Sequence, residues 1–323
     1  MNHFCVLGDC EKSYCHHCFP VKNCSKNHDI CNDKGICQEL MNGSKELILV
    51  TGCAGFIGSH VCEVLLQSDY NVIGLDIIND YYDVHKKIYN LNILKKYNNF
   101  IFLKEDICNT NAITTYKPDK IVHLASMAGV RYSIENPYAY LDSNLAGFIN
   151  IIEQCRQHNV RGLIYASSSS VYGDNKIIPF DVKDRVDSPV SLYGATKRAN
   201  ELIAFSYSNL YNLNTTGLRF FTVYGPWGRP DMAMYIFTKK ILDNKPIKVF
   251  NNGKMKRDFT YIDDIINGTK SAIFKNYKCE IFNLGNNKSV KLLKMISIIE
   301  KELNLRAIIN FQPMQLGDVV ESY

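Results

Sequence analysis

Leu47-Ile48-Leu49-Val50-Thr51-Gly52-Cys53-Ala54-Gly55-Phe56-Ile57-Gly58 is the stretch on which the reading of this chain turns. Its apolar start predicts a strand buried on both faces, and the glycines behind it predict a tight turn into a helix marked by Val61, Val64, Leu65 and Leu66. A second strand-like run, Asn71-Val72-Ile73-Gly74-Leu75, ends at Asp76. In such a unit the free N–H groups of the helix face a pyrophosphate, and the carboxylate at the tip of the second strand meets a ribose. Gly52 permits the turn, Gly55 lets backbone approach the phosphates, Phe56 and Ile57 open the helix there, and Gly58 lets the helix lie close to the sheet. Asp76 favours NAD over NADP, because a 2′-phosphate would meet its charge.

Outward from this unit, strand-like and helix-like segments alternate. Phe100-Ile101-Phe102-Leu103 predicts a third strand, followed by Asp106 and Ile107, where the carboxylate would meet an adenine amino group. Residues 119–125 predict a fourth, whose end at Leu124 and Ala125 suits a wall against which a cofactor lies; His123 reads as structural. Residues 137–158 are helical, 163–166 a fifth strand and 215–221 a sixth. The pattern predicts an α/β fold, a Rossmann-like doubly wound parallel sheet with ligands at its carboxyl edge. After Phe221 the strands shorten, which predicts a dinucleotide domain over 45–221 and a smaller C-terminal α/β substrate-binding lobe over 222–323.

Composition narrows the function classes. At 323 residues, 46% hydrophobic and 21% charged, the chain is an ordinary globular protein with room for a large core. A net charge of +5, spread along the chain, gives nucleic-acid binding little support. No apolar run approaches the roughly eighteen residues of a membrane span. Met1-Asn2-His3-Phe4-Cys5 lacks the basic start and apolar core of a secretory signal, so a cytoplasmic protein is expected. Cysteine marks a boundary: Cys5, Cys10, Cys15, Cys18, Cys24, Cys31 and Cys37 crowd the first 44 residues, which have almost no hydrophobic periodicity. Cys15 and Cys18 form a Cys-x-x-Cys pair, and Cys24 and Cys31, or Cys37 or the nearby histidines, would complete a zinc site; a disulfide knot and a disordered extension are the alternatives. Cys53, Cys62, Cys108, Cys155 and Cys279 read as small buried hydrophobes.

The fifth strand runs into Ser167-Ser168-Ser169-Ser170-Val171-Tyr172-Gly173, poor strand chemistry but good ligand chemistry. Further on, Tyr193 and Lys197 stand four apart at the start of a helix and share one face. An ammonium beside the phenol would lower the tyrosine pKa toward neutrality, as a general base requires.

These motifs, with Asp80-Tyr81-Tyr82-Asp83, residues 128–133, Tyr224-Gly225-Pro226-Trp227-Gly228-Arg229-Pro230-Asp231-Met232 and residues 253–264, resemble the extended short-chain dehydrogenase/reductases that modify nucleotide sugars. Within them the likeness is to the UDP-glucuronate 4-epimerases, and it spans residues 47–323. It implies a retained NAD, with Lys197 on the nicotinamide ribose, Tyr193 taking the proton of the sugar 4-hydroxyl and Ser168 hydrogen-bonding the same oxygen. A 4-keto uronate is a β-keto acid that loses carbon dioxide unless its carboxylate is held. Ser169, Ser170 and Thr222, with Arg131 behind them, are the expected grip. Arg229 and Arg257 are expected on the diphosphate, Asp318 at the uridine ribose, and a homodimer is implied. Relatives that dehydrate or decarboxylate carry an acid in the serine stretch, where this chain has Ser170, and galactose-type epimerases have asparagine where Thr222 stands. The competing readings are another nucleotide-sugar 4-epimerase or 4,6-dehydratase, and an NAD-binding scaffold with a cysteine-rich interaction module. The likeness departs at Gly194, where alanine is frequent and glycine should be tolerated at some cost in helix rigidity. It also departs at Tyr323, where the chain stops short of its relatives, implying a shortened lid or a fragment.

Overall fold

The apolar run that opens the glycine stretch is β1 (Leu47–Thr51), buried along its whole length. The computed structural model describes residues 45–323, so the zinc reading of Cys15, Cys18, Cys24 and Cys31 lies outside the described residues. After β1 come α1 (Phe56–Gln67), β2 (Asn71–Leu75), α2 (Val84–Leu94), β3 (Phe100–Leu103), α3 (Ala112–Tyr116) and β4 (Lys120–His123). Next are α4 (Val130–Glu135), α5 (Pro137–Tyr140), a π turn (Leu141–Ala146), α6 (Gly147–Gln157) and β5 (Gly162–Ser168). A 3₁₀ turn (Ser169–Tyr172), α7 (Leu192–Tyr211) and β6 (Thr215–Phe220) follow. The remainder is β7 (Thr222–Tyr224), α8 (Ala233–Leu242), β8 (Ile247–Val249), β9 (Lys256–Tyr261), α9 (Ile262–Lys275) and β10 (Cys279–Leu284). It ends with β11 (Ser289–Lys291), α10 (Leu292–Leu303), β12 (Ile309–Phe311) and β13 (Glu321–Ser322).

Seven parallel strands form one sheet in the order β3-β2-β1-β4-β5-β6-β10. Because β2 lies on one side of β1 and β4 on the other, their connections leave in opposite directions. A crevice therefore opens at the carboxyl ends of β1 and β4, where ligands bind in such sheets. Strand alternation fills both faces: Ile48 and Val50 pack with α1 and α9, and Leu49 with α3, α6 and α7. Each fully buried side chain of this kind contributes roughly 1.5–3 kcal/mol. Phe237, Ile241, Ile247, Val249, Met295, Ile296 and Ile299 form a separate apolar cluster in the smaller lobe, whose sheet is built on β9.

The boundary expected at residue 221 is corrected by this topology. β10 pairs in parallel with β6, from Cys279 beside Thr215 to Leu284 beside Phe220, and α9 packs Ile262, Ile265, Ile266 and Ile273 into the layer of α1. The edge of β6 and the apolar face of α1 would otherwise be open, so the chain returns to cover them. The helix expected over 137–158 is interrupted by the π turn, for a reason that belongs to the site. Three of the scattered cysteines, Cys53, Cys62 and Cys155, are fully buried and the thiols of all five are free. No helix among the described residues is long and apolar enough to cross a membrane. Among them, no group of three or more His, Cys, Asp or Glu side chains is placed to hold a metal ion.

Candidate active site

The glycine turn is shaped by what a side chain would strike. Gly52 has φ +73°, and a Cβ there would lie 2.8 Å from the Ala125 nitrogen; one on Gly58 would lie 2.0 Å from the Gly52 carbonyl oxygen. Helix α1 thus starts hard against the turn with Gly55 as its N-cap. No side chain caps it, so the N–H groups of Phe56, Ile57 and Gly58 point toward the crevice. Asp76 is buried at the tip of β2; its two oxygens accept from the Ala54 N–H (3.1 Å) and the Ile78 N–H (2.8 Å). Burial raises its pKa, and the N–H groups together with the Lys87 ammonium oppose the rise. Each oxygen keeps a lone pair for a ribose hydroxyl. Uncapped helix donors, a cradle that any Cβ would fill and a carboxylate with spare acceptor capacity fit a dinucleotide.

The neighbouring walls are pinned from within. The Thr51 hydroxyl oxygen accepts from the N–H groups of Leu124 (3.2 Å) and Ala125 (3.1 Å) and lies 2.8 Å from His123 Nδ1. Burial first, then the charge of Lys197, takes the His123 pKa down to about 3, so its imidazole is neutral. It buttresses the end of β4. Asp106 accepts the Cys108 N–H at 2.9 Å, and the buried Ile107 packs against Gly147 of α6.

Across the crevice, β5 ends at Ser168, whose hydroxyl oxygen accepts the Ser170 N–H and starts the 3₁₀ turn. Helix α7 begins beside it, capped by Ser191, which accepts the Gly194 N–H at 3.1 Å. Gly194 is more than a tolerated departure: a Cβ on it would lie 2.6 Å from the Ser170 carbonyl oxygen. Glycine lets α7 press against the serine turn and brings Tyr193 opposite Ser168. Burial raises the Tyr193 pKa, while the Ser168 hydroxyl and the Arg229 guanidinium pull it back. Here the structure departs from expectation. Lys197 donates to the Ala166 carbonyl oxygen at 2.9 Å instead of turning to the phenol, and burial lowers its own pKa to about 7. The hydroxyls of Ser169, Ser170 and Thr222 have no described partner, and β6 beside β5, with Phe220 opposite Ser168, delivers Thr222 next to the turn.

The arginines sort differently from their expected roles. Arg229 donates from Nε and Nη2 to Asp231 and from Nη2 to the Ala128 carbonyl, and its charge is felt at Tyr193 and Tyr81. It therefore sits at the reacting end, not with Arg257. Arg131, expected near the carboxylate, lies with Arg257 around Asp318, 3.8 Å from that carboxylate, with its guanidinium 5.0 Å above the Phe250 ring. Two guanidinium groups around one carboxylate leave a positive excess suited to a diphosphate. Nearby in sequence, the buried Gln315 side-chain oxygen lacks a partner.

Sequence reasoning missed Asn144. Its carboxamide accepts the Met127 N–H at 2.8 Å and donates to the Met127 carbonyl and the Thr196 hydroxyl, tying the crevice wall to α7 beside Lys197. The π turn aims it there, as such turns often do at functional sites. It also missed Glu201, although that residue continues the fourfold spacing of Tyr193 and Lys197 along one helix face.

A model of the NAD dependent epimerase/dehydratase family matches residues 48–285. UDP-glucuronate 4-epimerase 2 of Arabidopsis thaliana is 44% identical over 293 residues, 84% of this chain and 68% of that protein. A probable UDP-glucuronate 4-epimerase of Rhizobium meliloti is 40% identical over 298 residues, 85% of this chain and 87% of that one. Among solved structures, the UDP-glucuronic acid 4-epimerase of Bacillus cereus in complex with UDP-glucuronic acid and NAD matches with a TM-score of 0.82 at 36% identity, covering 86% of this chain and 89% of that one. A parallel sheet with this crevice, this tyrosine and these relatives leaves one assignment: the chain belongs to the NAD dependent epimerase/dehydratase family.

Proposed function

We propose that this protein inverts C4 of UDP-glucuronate to give UDP-galacturonate through a 4-keto intermediate. One observation carries the reading: Tyr193 faces Ser168 at the carboxyl edge, ringed by the unpartnered hydroxyls of Ser169, Ser170 and Thr222 and by Arg229, with no acid in the serine run. The likeness to UDP-glucuronate 4-epimerases supports it. NAD, when bound, supplies the acceptor and later the donor of the hydride at C4. Tyr193 takes the proton of the 4-hydroxyl, and Ser168 donates to the oxygen as it becomes a ketone. Arg131, Arg257 and Asp318 hold the nucleotide end while the sugar turns to offer the other face of C4 to the returning hydride, and Tyr193 gives its proton back to the 4-oxygen. Holding the carboxylate keeps the C5–C6 bond out of line with the ketone π system. Arg229, whose Nη1 has no described partner, joins the three hydroxyls in that grip. An acid at Ser170 would supply the base for dehydration; a hydroxyl does not.

Incubation of purified protein with UDP-glucuronate and separation of the products tests the reading. UDP-galacturonate is the expected product, and Tyr193→Phe should lower turnover by about 10² or more. A decarboxylated pentose as the main product, or no conversion, overturns it.

We also infer a homodimer built on α6 and α7, supported by the exposed Ile149, Leu202, Phe205 and Leu210 on those helices. Phe205→Glu should shift the sedimentation mass to that of a monomer; a wild-type monomer overturns the inference.

A further inference from the structure

Beneath the site lies a buried ion pair that touches no reacting atom. Glu201, on α7, is 2% exposed and Arg219, on β6, is 1% exposed. The Glu201 carboxylate accepts four hydrogen bonds: Oε1 from the Ser167 hydroxyl (2.6 Å) and Arg219 Nε (2.8 Å), Oε2 from Arg219 Nη2 (2.9 Å) and Arg198 Nη1 (3.1 Å). Arg219 Nη1 donates to the Tyr172 hydroxyl at 2.9 Å, which donates in turn to Asn283 at 2.7 Å on β10. The guanidinium also lies 4.8 Å above the Tyr172 ring.

Ser167 and Tyr172 flank the hydroxyl turn on either side. Ser168, Ser169 and Ser170 therefore hang between two anchors fastened to one carboxylate–guanidinium pair, with Glu201 two helical turns from Tyr193 on the same helix. A buried pair of this kind adds little net stability, since apolar residues of equal volume serve as well. What it adds here is a fixed relation between the serine turn and α7.

We propose that Glu201 and Arg219 are positioning residues that hold the Ser168–Ser170 hydroxyls in register with Tyr193, and thereby decide how much of the 4-keto uronate returns as epimer and how much is lost as carbon dioxide. The proposal rests on the substrate reading above. In the leak, the C5–C6 bond of the 4-keto uronate breaks and carbon dioxide leaves. The bonding pair moves onto the enolate of the ketone, and C5 takes a proton. The hydride already removed from C4 stays on the nicotinamide, so each escaped UDP-4-keto-pentose leaves one NADH behind.

The test uses the NAD-loaded enzyme and removes one anchor at a time. Ser167→Ala deletes the first hydrogen bond; Tyr172→Phe deletes the second and keeps the ring that packs on Arg219 and stacks on Phe180 at 4.3 Å. Arg198→Ala is the control, because it removes one outer hydrogen bond of Glu201 and leaves in place the Ser167 and Arg219 bonds that fasten the turn. The two anchor variants should form about tenfold more UDP-4-keto-pentose and protein-bound NADH per epimerisation, with kcat lowered about tenfold and KM within about twofold, inside the roughly 10²-fold that a 1 Å displacement costs. Arg198→Ala should lose stability without raising the leak. An unchanged leak in both anchor variants, or an equal leak in Arg198→Ala, overturns the proposal. If wild type makes no UDP-galacturonate, the substrate reading fails separately, and amide hydrogen exchange still judges the positioning role. Residues 167–173 should exchange faster in both anchor variants and as wild type in Arg198→Ala; equal rates in all four proteins overturn it.

Discussion

Replacing Lys197 by methionine should make the cofactor-free protein more stable while abolishing its activity. Lys197 is 3% exposed, and its ammonium donates to the Ala166 carbonyl oxygen. Burial lowers its pKa from 10.5 to about 7. Between those values the unfolded chain holds the proton and the folded protein does not, so wild-type stability rises with pH across that window. At about 1.36 kcal/mol per pKa unit, the lowering from 10.5 to about 7 is a penalty of roughly 5 kcal/mol, carried in full below pH 7. Methionine fills a similar volume without the charge and forfeits one charge-assisted hydrogen bond, about 2 kcal/mol. The net gain is about 3 kcal/mol near pH 6–7, a rise in Tm of roughly 5–10 °C. Above about pH 10 the penalty is gone and only the lost hydrogen bond remains, so the order of the two proteins should reverse. Calorimetry from pH 6 to 10.5 on both proteins, with UDP-glucuronate turnover measured alongside, reads the effect. A variant that melts at or below wild type at pH 6–7, or a gap that does not shrink with pH, refutes the reasoning.

Asp76→Asn keeps the shape and the Ile78 contact but removes the charge at the ribose end. The preference for NAD over NADP, read from binding titrations, should fall about tenfold or more, as about 1.4 kcal/mol of relieved repulsion gives; an unchanged ratio counts against Asp76 as the discriminator. Gly194→Ala should not collect the roughly 1 kcal/mol that alanine offers a helix, because its Cβ would strike the Ser170 carbonyl; a variant both more stable and fully active would show that the serine turn yields freely. Arg229→Met should lower turnover of UDP-glucuronate by about 10- to 10²-fold, the worth of a hydrogen bond to a charged group, and lower any residual turnover of UDP-glucose by less, through its effect on Tyr193 alone. Equal losses on both substrates would remove Arg229 from the carboxylate grip.

The fold was legible because its signals are local. A buried parallel strand needs an apolar run, a glycine turn needs residues without Cβ atoms, and a helix face shows itself every three or four residues. Each of these lies within one short window, as in β1 and the start of α1. Tyr193 and Lys197 were visible for the same reason, since four residues on a helix is a spatial statement as well as a sequential one. Glu201 obeys the same spacing, yet its partners Ser167 and Arg219 lie on two other strands, and nothing in a window around 201 names them.

Where the chemistry depends on which loop folds against which, sequence order misleads. Arg229 follows the last glycines of a loop that closes over Tyr81 and Ala128, so Asp231 and the crevice wall decide where its charge goes. Arg131 starts the short helix α4 beyond that wall and is drawn toward Asp318, near the end of the chain. The same limit explains the misjudged boundary at 221. Short strands after Phe221 predict a separate lobe, but an exposed edge at β6 and an uncovered apolar face on α1 are properties of the assembled sheet, and α9 and β10 return to close them. The site inherits this closure: Asn283 on β10 is the far end of the hydrogen-bond chain that runs through Tyr172 and Arg219 to Glu201, so the strand that returns to close the sheet also helps hold the hydroxyls of the serine turn.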